Sequence, residues 1–267
     1  MKKEIESLLT KMWEDYIQLN SGAQKIVDLM KSRGDDVVND HIALRTFNHP
    51  KVNLDVVANS FLKSGYEHKG DYEFKEKKLR AKHFEHSDPN LPLIFISELL
   101  LEEFSTGFNK IVESLVKQIT PVEIMDFNFV SNGRPWDITS IDYELLKKES
   151  DYGAWMGAIG FRPNHFTVSV NKLKSFDELS DLNSFLKSNG IKLNESGGEI
   201  KGSREVYLEQ SSTLADSIEV EFLDKKLIIP SCYFEFAKRY RRADGEIYTG
   251  FVTTSADKIF ESTDKTQ

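Results

Sequence analysis

The sequence predicts an α+β fold: two βαβββ modules that pair into one barrel-like cavity, with extra helices at the N-terminus and between the modules. Three observations predict it. The order strand, helix, strand, strand, strand occurs twice, in residues 35–101 and again in 161–240, as a repeat of patterning rather than of letters. A histidine stands at the head of the first strand of each copy, His41 and His165. The stretches before and between the copies carry apolar residues at helical rather than alternating spacing.

Residues 1–34 read as helices, because Ile5, Leu8, Leu9, Met12, Tyr16 and Leu19 recur at helical spacing and Gly34 is a C-cap for a second helix over 24–32. In the first module, 40–47 is a strand and 53–64 a helix stopped by Gly65. Extended segments follow at 66–74, 79–85 and 91–97. Residues 102–160 form a helical insertion or linker: a helix over 102–118, a helical turn at 121–127, a turn cluster at 131–135 and a loose helical linker over 143–158. The second module repeats the first, with a strand at 164–170, a helix over 175–188 and extended segments near 205–210, 217–223 and 232–238. Gly197-Gly198 and Gly202 match no phosphate-binding fingerprint and read as a hairpin or mobile loop at the cavity mouth. Residues 241–267 form a C-terminal tail, and the whole is expected to be one compact domain.

The 267 residues suffice for a sizeable core without staples, and 18 Phe argue against disorder over most of the length. A net charge of −8 and a pI near 5.4 speak against nucleic acid or an anionic membrane as partner, since both reward a basic patch. Lys75 to Lys78 and Lys238 to Arg242 are short basic runs that read as solvated faces. The one cysteine, Cys232, excludes an intrachain disulfide and fits a reducing cytosol. No signal peptide or membrane span is readable, so a cytoplasmic protein is expected. The oligomeric state is not readable.

Strand side chains alternate between two faces. On the first strand His41, Ala43 and Arg45 share one face, opposite Ile42, Leu44 and Thr46. On the matching strand His165, Thr167 and Ser169 lie opposite Phe166, Val168 and Val170. Pseudo-twofold pairing of the modules brings the two imidazoles together. On the last strand Tyr233, Glu235 and Ala237 alternate with more apolar residues, which points a carboxylate into the same cavity. Glu219 and Glu221 compete for that role, though their shared face has the look of a solvent-facing strand. Two imidazoles and a carboxylate on one side of a divalent metal leave open positions for a 2-oxo acid and O2 and suit Fe(II). Arg45 has the planar fork that grips a carboxylate. It is the residue expected to bind and orient substrate for catalysis, with Gln210 and Tyr233 as further substrate contacts; a polar strand end explains Gln210 and Ser211 equally. His49, His68, His83 and His86 are weaker metal candidates, and Cys232 reads as an inert core thiol.

The stretches Asp40-His41-Ile42-Ala43-Leu44-Arg45-Thr46, Asn164-His165-Phe166-Thr167 and Pro230-Ser231-Cys232-Tyr233-Phe234-Glu235-Phe236-Ala237-Lys238-Arg239 resemble the 2-oxoadipate dioxygenase/decarboxylase family, in order and over most of the chain. The resemblance implies a vicinal-oxygen-chelate fold, related to 4-hydroxyphenylpyruvate dioxygenase and hydroxymandelate synthase. It also implies that His41, His165 and Glu235 match the family's metal ligands and Arg45 its carboxylate-binding arginine. The implied reaction takes 2-oxoadipate and O2 to 2-hydroxyglutarate and CO2, in lysine breakdown, with Fe(II) as cofactor. Well-known bacterial members are longer, so the reaction type carries over ahead of the substrate. Two other readings compete: a metal-dependent isomerase or lyase of glyoxalase type, which needs no O2, and a binding protein that does no chemistry.

Overall fold

The computed structural model describes residues 2–253. The tail expected over 241–267 therefore lies, from residue 254 on, outside the described residues. Ten strands and eight α-helices are described, and eight of the strands form one curled sheet.

The first module consists of β1 (Asn39–Phe47), α3 (Leu54–Lys63), β2 (Tyr66–Phe74), β3 (Leu79–His86) and β4 (Leu93–Leu99). The second consists of β5 (Pro163–Ser169), α8 (Leu179–Ser188), β6 (Lys201–Ser203), β7 (Leu208–Ser212) and β10 (Tyr233–Arg239). The spatial order β2-β3-β4-β1-β5-β10-β7-β6 is the same half-sheet written twice in opposite directions. The halves join where β1 runs antiparallel to β5, with Ala43 opposite His165 and His41 opposite Thr167. Within each half the first strand runs parallel to the last, β1 with β4 and β5 with β10.

Helices cover the outer face. In α1 (Lys2–Leu19), Ile5, Leu8, Met12, Tyr16 and Leu19 make one buried stripe. Trp13 and Tyr16 pack on Phe166, and Trp13 on Phe234, residues on the faces of β5 and β10 that turn away from the two ligand-type side chains. The Tyr16 hydroxyl donates to the Tyr233 carbonyl at 2.5 Å, which fixes the helix behind the site. Asn20 caps α2 (Ser21–Ser32), and Asn53 caps α3 by accepting from the Val56 amide.

Two expectations change. The 143–158 stretch is helical as expected but is no loose linker: it is two helices, α6 (Ser140–Glu149) and α7 (Asp151–Ile159), broken at Ser150, whose side chain caps α7. Every residue of α7 after Asp151 is buried, so its apolar residues occupy all sides and leave little helical period to read. The 217–223 segment is a strand, β8 (Ser217–Glu221), but it pairs with β9 (Lys226–Pro230) in a separate hairpin. Its place in the module is taken by the antiparallel pair β6–β7, so the glycine-rich stretch leads into a hairpin at the sheet edge, one of the two readings expected for it. Gly160 ends α7 with φ +76°. A Cβ there would lie 2.4 Å from the Arg134 Cα, where Gly133 and Phe161 exchange hydrogen bonds just ahead of β5. Among the described residues no helix is long and apolar enough to cross a membrane.

Candidate metal centre

The inner face of the curled sheet gathers His41 from β1, His165 from β5 and Glu235 from β10, each at most 5% exposed. One ligand atom from each lies within 4.8 Å of the others. His41 Nε2 is 3.5 Å and His165 Nε2 3.3 Å from the two oxygens of the Glu235 carboxylate. A first-row dication with donor bonds of about 2.1 Å separates adjacent donors by about 3 Å, so the cluster is close to closed around an ion.

Each imidazole is turned by the residue before it. His41 Nδ1 donates to the Asp40 carboxylate at 2.8 Å and His165 Nδ1 to the Asn164 side-chain Oδ1 at 3.1 Å. Both Nε2 lone pairs are thereby aimed at the carboxylate. The Thr167 hydroxyl donates to His41 Nε2 at 3.1 Å. Asp40 is gripped in turn by the Arg239 guanidinium, through Nε and Nη2 at 2.8 Å. On Glu235, Gln210 Nε2 donates to one carboxylate oxygen at 2.5 Å.

Burial pushes Glu235 up to about 8, against the Gln210 hydrogen bond, which pulls the other way. Burial also holds His41 and His165 below the ordinary histidine range; Asp40 opposes this at His41, while Arg45 adds to it at His165. Two neutral imidazoles and a buried carboxyl group form a donor set that could hold a divalent metal, whose charge would offset the buried carboxylate.

Arg45 lies on the same face as His41 and is 3% exposed. Its guanidinium sits 4.8 Å from the Tyr152 ring and 5.0 Å from the Trp155 ring, both on α7. The Tyr152 hydroxyl donates to the Ser97 carbonyl and the Trp155 indole to the Ser231 carbonyl, so the two rings are fixed. Arg45 is one two-residue step, about 7 Å of strand, beyond Ala43, the residue paired with His165. A cleft of about 210 Å³, lined in part by Lys77, Phe104 and Tyr152, reaches Arg45 from the surface. The histidines do not line it.

Of the other expected site residues, Tyr233 stacks on the His165 ring at 4.7 Å, and Gln210 meets Glu235. Glu219 and Glu221 face outward on β8, Glu219 against Lys226. Cys232 is buried, and burial raises its thiol far above the ordinary range. Sequence reasoning missed Asp40, Asn164, Arg239, Tyr152 and Trp155. A signal existed for the first two, since each histidine directly follows an Asp or Asn.

The family model described as 2-oxoadipate dioxygenase/decarboxylase matches residues 4–245. The Arabidopsis thaliana protein named 2-oxoadipate dioxygenase/decarboxylase, chloroplastic, is 35% identical over 96% of this chain and 76% of its own length. A solved structure from Shewanella frigidimarina is 51% identical, with a TM-score of 0.90 over 93% of this chain and 98% of that one. The Oryza sativa hydroxyglutarate synthase, solved in complex with 2-oxoadipate, is 32% identical with a TM-score of 0.90, covering 97% and 91%. A Ralstonia eutropha protein of the glyoxalase superfamily shares the fold, with a TM-score of 0.75 at 20% identity over 91% and 84%.

Proposed function

This chain belongs to the 2-oxoadipate dioxygenase/decarboxylase family, and we propose that it is an Fe(II)-dependent enzyme that converts 2-oxoadipate and O2 into 2-hydroxyglutarate and CO2. The observation that carries the reading is the buried convergence of His41, His165 and Glu235. Two imidazoles and one carboxylate on one side of an ion are the donor set of oxygen-using ferrous sites. When bound, ferrous iron supplies the one-electron chemistry that lets O2 react with a closed-shell acid. The overall reaction needs no added reductant, because decarboxylation and hydroxylation of one molecule together deliver the four electrons that O2 takes up.

The protein's own share is to bind, orient and exclude water. Asp40 and Asn164 fix the imidazole tautomers, and Gln210 fixes the Glu235 carboxylate. Arg45, held between Tyr152 and Trp155, receives the distal carboxylate of the diacid and sets which carbon faces the metal. Tyr233, stacked on His165, forms a wall of the substrate space. The single buried thiol suits a reducing compartment, and we place the protein in the cytoplasm.

Oxygen uptake by the Fe(II)-loaded protein, measured over a panel of 2-oxo acids headed by 2-oxoadipate, tests the reading. Uptake matched by CO2 and 2-hydroxyglutarate is the expected result. Tight iron binding with no uptake on any 2-oxo acid would refute the oxygenase reading and favour an isomerase of glyoxalase type.

A further inference from the structure

Beyond β10 the chain turns back on itself. Arg241 pairs with Ile247, and the Tyr248 amide donates to the Tyr240 carbonyl at 3.0 Å. This return lays residues 248–251 across the inner face of the sheet. The Phe251 ring ends up edge-on to the His41 imidazole, with centroids 4.8 Å apart, and packs on Phe95 at 4.7 Å. The Phe251 amide donates to the Tyr72 hydroxyl at 3.2 Å. The strap therefore covers a metal-ligand histidine, and it does so with a buried side chain.

Arg239 is common to the strap and the cluster. It closes β10 four residues after Glu235 and is 5% exposed. Its Nη1 donates to the carbonyls of Tyr248 at 3.0 Å and Gly250 at 2.8 Å. Its Nε and Nη2 donate to Asp40, the carboxylate that accepts from His41 Nδ1. A guanidinium is one rigid plane, so its two edges cannot reorient independently. Lifting the strap pulls on Nη1 and tilts the fork that holds Asp40.

We propose that Arg239 is a positioning residue that couples the seating of the 248–251 strap to the orientation of the ligand histidine His41. The inference rests on the metal reading above and adds Arg239 and the 248–251 strap, which that reading leaves unused. Metal bound at the cluster favours the seated strap, and by reciprocity the seated strap tightens metal binding by the same factor.

The experiment follows hydrogen–deuterium exchange of the strap peptide, residues 245–252, with Mn(II) as the probe. In the wild type, Mn(II) slows exchange about fivefold or more. Arg239→Lys keeps the charge but has no planar fork; it still binds Mn(II), and the slowing disappears. A second variant, Tyr72→Phe, removes the hydroxyl that accepts from Phe251 and touches neither Asp40 nor His41. It raises the Mn(II) Kd about fivefold. Undiminished slowing in Arg239→Lys, no slowing in a wild type that has bound Mn(II), or an unchanged Kd in Tyr72→Phe would each overturn the coupling while leaving the metal reading intact. A wild type that takes up no Mn(II) overturns the metal reading and the coupling with it.

Discussion

Lowering the pH from 9 to 7 should weaken metal binding about tenfold, through protonation of Glu235. Burial holds this carboxyl at about 8 in the metal-free protein, whereas burial keeps both histidines below their ordinary range and so neutral at pH 7. A metal must therefore displace one proton, from Glu235. With a pKa of about 8, the group is about 90% protonated at pH 7 and about 10% protonated at pH 9. Proton release on binding should accordingly fall from near one per ion to near zero between those values. Calorimetric titration in buffers of different ionisation enthalpy reads this number directly. The same shift has a stability consequence of known sign. The folded-state pKa lies above the ordinary value of 4.5, so the metal-free protein is most stable below pH 4.5 with respect to this group and loses that contribution as pH rises through 8. The loss is roughly 5 kcal/mol at most, and bound metal abolishes it. Proton release that stays near zero at pH 7 would show Glu235 already ionised and would refute the argument from burial.

Three further outcomes follow from the same geometry. Arg45→Ala should weaken binding of 2-oxo diacids by roughly 2–5 kcal/mol, the scale for losing one partner of a buried charge pair, while 2-oxo monoacids bind nearly as before; an unchanged affinity for diacids removes Arg45 from the site. Asp40→Asn should cost about 10–100-fold in metal affinity, because the support behind His41 weakens, as read by competition with a chelator. Gly160→Ala should destabilise the fold by roughly 1–3 kcal/mol in urea unfolding, the range for overpacking, since its Cβ would meet backbone atoms of Gly133 and Arg134.

The modules were legible because their central strands are buried on two faces of different chemistry. His41, Ala43 and Arg45 against Ile42, Leu44 and Thr46 is a period-two pattern that survives without any knowledge of partners. Strand alternation also identified residues 217–221 as extended, but periodicity does not say which strand lies alongside, and this one pairs with its own neighbour. The three-residue edge strand at Lys201–Ser203 is too short to carry a period. At α7 the helix was expected but its close packing was not, for the opposite reason: a helix apolar on nearly every side has no polar face to mark its phase.

The same contrast explains the site. His41 and His165 could be paired on paper because the repeat puts them at equivalent positions, and their supports Asp40 and Asn164 are adjacent in sequence. Arg239 is 199 residues from Asp40, and Tyr152 and Trp155 reach Arg45 from an insertion that belongs to neither module. Repetition can place two ligands, because duplicated modules duplicate positions. It cannot place what breaks the symmetry: Glu235 stands on β10 where the matching position of β4 holds Phe95, and the α7 insertion and the 248–251 strap have no counterpart in the other copy. Those asymmetric features set the Tyr152 and Trp155 rings against Arg45 and the Phe251 ring against His41, so the residues hardest to read from the repeat are the ones that make its two ends chemically different.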